Sequence, residues 1–133
     1  MQTGSIKIWL FRASFCLGLA FAVTMALLPE PPKLLIDNWG DKAEHMLAFG
    51  VLAILGSAAF RGMPLQRLGE RLSFLGAVIE VCQSIPALHR DCDIRDWIAD
   101  TLATIIALLI VQQWRRFRST GLSSAAALND GVC

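Results

Sequence analysis

Charge is scarce in this chain of 133 residues. Only 17% of it is Asp, Glu, Lys or Arg, against roughly 25% in ordinary soluble domains, and the stretch "ASFCLGLAFAVTMALL" (13–28) carries no charge at all. A helix on the surface of a soluble bundle needs a charged face behind its apolar stripe, so a soluble four-helix bundle is disfavoured. Cysteines at metal-ligand spacing are also missing: Cys16, Cys82, Cys92 and Cys133 are scattered, which argues against a disulfide framework or a zinc site and leaves them as small apolar side chains. Basic residues collect into no single patch and the formal net charge is +1, so a nucleic-acid partner is not expected. There is no internal repeat and no extended low-complexity region.

What the chain has in abundance is apolar sequence. Hydrophobic residues make up 55% of it and the mean hydropathy is +0.54. They fall in four blocks, at 13–28, 46–60, 72–88 and 97–111. A membrane helix needs about 20 mostly apolar residues, and Trp9, Trp97 and Trp114 can extend these blocks into the interface. The expected fold is all-α, a bundle of four transmembrane helices over residues 1–118, with 119–133 a disordered cytoplasmic tail. Block one has a second reading as a signal peptide, with Lys7 and Arg12 as its basic region and Ala20 and Ala22 near a cleavage site.

Orientation follows from Lys and Arg. Lys7, Arg12, Arg61, Arg67, Arg71, Arg115, Arg116 and Arg118 fall on one side of the spans, and Lys33, Lys42, Arg90 and Arg95 on the other. Cytoplasmic loops carry the excess, which puts both termini in the cytoplasm and the protein, multi-pass, in a bacterial inner membrane.

Within that topology, polar residues concentrate at the outer helix ends. Asp41, Lys42, Glu44 and His45 open span two, Glu80 and Gln83 interrupt the apolar run "FLGAVIEVCQSIPAL" of span three, and Arg90, Asp93, Asp96 and Asp100 lead into span four. The pairs Asp41/His45 and Glu80/Gln83, and the series Asp93, Asp96, Asp100, have the three- and four-residue spacings that align side chains on one helical face. An ionisable group within a span costs at least ~2.5 kcal/mol and usually faces a bundle interior or a cavity. Glu80 is therefore expected to point inward.

The order Asp41-Lys42, His45, "AFGVLA", Glu80-x-x-Gln83, Arg90, Asp93, Asp96 resembles that of the VanZ-like family of small bacterial membrane proteins, over roughly residues 37–110. The chain departs from the family pattern at Asp100, often Asn; at Ala103, often Gly; and at Leu88-His89, often Pro-Gly. The resemblance implies a cell-envelope role linked to resistance to the glycopeptide teicoplanin.

Two function classes follow. In the first, the outer polar residues bind or modify an anionic envelope molecule, such as a lipid-linked cell-wall precursor. Glu80 would then act as general acid or base with His45 and Asp96 assisting, Arg90 would grip phosphate, and Asp41, Lys42, Gln83, Asp93 and Asp100 would line the ligand. In the second, the protein is a structural or accessory membrane component without catalysis. A proton-coupled transporter is disfavoured by the lack of an inverted repeat. The sequence leaves the cofactor open: Asp96 and Asp100, with Asp41, Glu80 and His45 near them, offer the oxygen ligands a hard divalent cation prefers, but they form no compact metal motif. The expected partners are a membrane lipid or lipid-linked precursor, and a second copy of the chain.

Overall fold

Prolines and small polar residues cut the chain into four long helices. The computed structural model describes residues 2–29, 41–88 and 93–130, and within them the side-chain surroundings of 5–29, 43–88 and 93–120. The helices are α1 (Gln2–Leu27), α2 (Asp41–Ala59), α3 (Leu65–Gln83) and α4 (Ile94–Asp130), with a short 3-10 turn at Pro86–Leu88 and no strand among the described residues. The all-helical expectation is met.

The helices extend beyond the apolar blocks. Helix α2 begins at Asp41, and α3 begins at Leu65 with the arginine-bearing turns ahead of Leu72. Block three ran to Leu88, but α3 stops at Gln83, where the Ser84 N–H is the last to bond back four residues, to the Glu80 carbonyl at 3.1 Å. Pro86, which has no N–H and restricts the residue before it, ends the α-helical ladder. Helix α4 continues through Asp130, into the segment read from composition as a tail.

Among the described residues one helix, over Ser5–Leu27, is long and apolar enough to cross a membrane, and Ala43–Ala59 is a shorter apolar helix. Helix α1 also belongs to the core. Its Phe15 is buried with Phe49, Leu52, Leu68, Leu72 and Leu108 from the other three helices. The tightest approach is at Gly56, where a Cβ would come within 3.0 Å of Leu68 and 3.1 Å of Phe15. The absent side chain lets α1, α2 and α3 close on one another, as small residues do in membrane helix packing. Helix α4 packs most extensively on α2 and then on α3.

Candidate functional site

Each of α2, α3 and α4 brings a polar segment to the same end of the bundle: the start of α2, the end of α3 and the start of α4. There the apolar core gives way to buried polar groups. Glu80 is 7% exposed, Gln83 3%, Asp100 2% and Thr104 1%.

Glu80 lies one turn from the end of α3, and its Oε2 accepts the backbone N–H of Asp93 at 3.1 Å. Asp93 in turn accepts the Arg95 N–H through its own Oδ1 at 3.0 Å. That is the geometry of an N-cap, in which a side-chain oxygen meets one of the N–H groups that the first helical turn leaves unbonded. Glu80 thus fastens α3 to the beginning of α4, and its carboxylate sits beside a helix N-terminus, where negative charge is favoured. Asp96, in the first turn of α4, gains from the same dipole. The aspartates do not form one continuous helical stripe, because Asp93 precedes the helix and serves as its cap.

Gln83 does a related job toward α1. Its Nε2 donates to the Ala26 carbonyl at 3.0 Å, a carbonyl in the last turn of α1, where acceptors lack helical partners. Glu80 and Gln83, three residues apart on one face, therefore bind α3 to two different neighbours.

The third contact joins α2 to α4. His45 Nδ1 stands 3.4 Å from Asp100 Oδ2, with both side chains nearly enclosed. A carboxylate on one imidazole nitrogen fixes the ring's orientation. The other oxygen of Asp100 and the hydroxyl of Thr104, one turn deeper, have no hydrogen-bond partner among the described residues. Beside these groups α3 and α4 are joined directly. Trp97 donates from its indole to the Ser73 carbonyl at 3.0 Å, and Phe49 and Trp97 both pack against Gly76, where a Cβ would lie 3.3 Å from Trp97. Ser73 and Thr101 share a hydrogen bond at 2.9 Å.

The residues expected from sequence are distributed as follows. Glu80, Gln83, His45, Asp93, Asp96 and Asp100 all lie at this end. Asp41 and Lys42 belong to the first turn of α2, but their side chains are outside the described residues, and so is Arg90. Among the described residues no three His, Cys, Asp or Glu side chains group as a metal site. Sequence reasoning missed Thr104, although it lies four residues beyond Asp100 and so on the same face. It also missed the Trp97–Ser73 and Ser73–Thr101 pairs. A carboxylate, an imidazole and a hydroxyl buried together can orient a polar ligand and exchange a proton with it. Compared with known proteins, the chain matches no family model, no curated protein and no solved structure.

Proposed function

We propose that this is a four-span, VanZ-like membrane protein, with both termini cytoplasmic, whose outer polar end binds or modifies an anionic envelope molecule such as a lipid-linked cell-wall precursor. The observation that carries this is an inverted distribution of polarity. Large apolar side chains point outward on every helix, among them Leu17 (72% exposed), Phe21, Ile54, Phe74, Ile106 and Ile110. Meanwhile Glu80, Gln83, Asp100 and Thr104 lie inside. In water such a surface would drive aggregation, whereas in hydrocarbon it is the solvated face, and the buried ionisable groups then mark a functional interior. Glu80 is the acid–base group in this reading, with His45, held by Asp100, at the same end of the bundle; Arg90 supplies the cation for a phosphate.

A second reading, an accessory protein without catalysis, is favoured by the bond from Asp93 N–H to Glu80, since a helix clamp accounts for a buried carboxylate. Glu80→Gln separates the two. The amide keeps an oxygen that accepts the Asp93 N–H but cannot exchange a proton in the same way. The test is mass spectrometry of envelope lipids and cell-wall precursors from a deletion strain carrying wild-type protein or Glu80→Gln at equal levels. A species that accumulates in the deletion and is cleared by wild type alone supports catalysis. Clearance by both proteins supports the binding form, and no change in any species in any strain removes the envelope-substrate proposal.

A further inference from the structure

The opposite end of the bundle is built around arginines. Helix α2 has no basic residue in its last turn, and its terminal carbonyls are met from other helices. Arg115 of α4 donates to the Ser57 carbonyl at 2.6 Å, and Arg12 of α1 to the Ala59 carbonyl at 3.4 Å. Cations at a helix C-terminus complement its dipole. Arg115 also lines a groove of about 730 Å³ together with Arg61, Arg118, Ser57 and Trp114. The Arg118 guanidinium lies 5.5 Å from the Trp114 ring centre. Among the described residues, no acidic one lines this groove. Three arginines thus share one concavity, and one of them, Arg115, is bonded there to a neutral carbonyl.

That basic groove adjoins an apolar one. Ile54 and Ile110 line both. The second groove, about 800 Å³, runs between α2 and α4, and small residues at Ala43, Gly50, Ala103 and Ala107 make it concave. At 1.5 Å per residue, the distance along α2 from Ala58 to Gly50 is about 12 Å and to Met46 about 18 Å. Half the hydrocarbon thickness of a bilayer is about 15 Å. A chain anchored at the arginines would therefore end between Gly50 and Met46.

We propose that these two adjoining grooves hold an anionic phospholipid of the cytoplasmic leaflet, its phosphate on Arg61, Arg115 and Arg118 and one acyl chain between α2 and α4. Guanidinium groups can grip phosphate through paired hydrogen bonds, and basic pockets between helices on the cytoplasmic side suit anionic headgroups. The proposal rests on the membrane orientation given above, but not on what the outer polar end binds.

The test is native mass spectrometry of the full chain in micelles, titrated with phosphatidylglycerol or phosphatidylcholine of identical chains. Phosphatidylglycerol is expected to bind at least roughly tenfold more tightly. The double variant Arg61→Gln/Arg118→Gln should weaken it roughly 25-fold, about fivefold per arginine, with phosphatidylcholine unchanged. Arg115 is left in place because it supports α2. Gly50→Leu provides the apolar arm: a Cβ at Gly50 meets nothing within 4 Å, so the side chain fills the groove without strain and should release the lipid several-fold. Equal affinity for both lipids, or no effect of the double variant, overturns the proposal. So does binding of inorganic phosphate alone as tightly as the lipid with Gly50→Leu silent, which would assign the arginines to a free anion. A chain that stays in the aqueous fraction without detergent would overturn the membrane orientation instead, whatever its lipid titration.

Discussion

Thr104 offers a sharp stability test, because replacing it is expected to strengthen the fold. The residue is 1% exposed and its hydroxyl has no hydrogen-bond partner among the described residues. Burying a hydroxyl without a partner costs about 1–3 kcal/mol on protein mutational scales. Thr104→Val replaces that hydroxyl with a methyl of similar volume, and the two residues have similar helix propensity, so the backbone contribution nearly cancels. The variant should therefore be more stable by about 1–2 kcal/mol. For a chain of this size that corresponds to roughly 3–8 °C in the unfolding midpoint. The assay is thermal unfolding of purified protein in micelles, followed by intrinsic tryptophan fluorescence. A Thr104→Val protein destabilised by about 1 kcal/mol or more would mean that the hydroxyl is bonded, and that the arrangement beneath Asp100 is not the one described here.

Other substitutions probe the remaining contacts. Gln83→Leu removes the donor to Ala26 and should destabilise by about 0.6–2 kcal/mol, the range for interhelical hydrogen bonds in membranes, measured by the same unfolding assay. Gly56→Leu forces a side chain into Leu68 and Phe15 and should cost about 1–3 kcal/mol by overpacking, visible as a lowered midpoint. Glu80→Gln should leave the midpoint within about 1 kcal/mol of wild type, since an acceptor for the Asp93 N–H persists; a much larger loss would make the charge itself part of the clamp.

Hydropathy made the number of helices legible, because four apolar blocks separated by polar segments leave little room for another architecture. Their ends were less legible. The first turns of α2 and α3 are polar, so a search for apolar runs starts both helices late, while Pro86 cuts block three short by chemistry that hydropathy ignores. The continuation of α4 through "SSAAALND" reflects alanine's helix propensity where composition suggested a tail.

At the polar end, helical spacing correctly put Glu80 and Gln83 on one inward face. It did not foresee that one would bind the start of α4 and the other the end of α1, since both backbone partners, the Asp93 N–H and the Ala26 carbonyl, are set by tertiary packing. Asp93 shows why a spacing rule can mislead: it has the interval of a helical stripe but lies outside the helix as its cap. Arg12 and Arg115 were readable as topology signals, and the lack of a basic residue at the end of α2 was the clue that they would also meet its terminal carbonyls.

The central claim is that the four helices cross a membrane with the His45, Glu80 and Asp100 end outside. The native cysteines allow it to be tested directly. Cys92 belongs to the sequence segment assigned to the outer side, and Cys133 to the cytoplasmic end; with Cys16, Cys82 and the other of the pair replaced by serine, each can be left as the sole thiol. A membrane-impermeant maleimide should label Cys92 in intact spheroplasts, and Cys133 only after permeabilisation. Labelling of both without permeabilisation, labelling in the reverse order, or recovery of the protein in the soluble fraction would contradict the account.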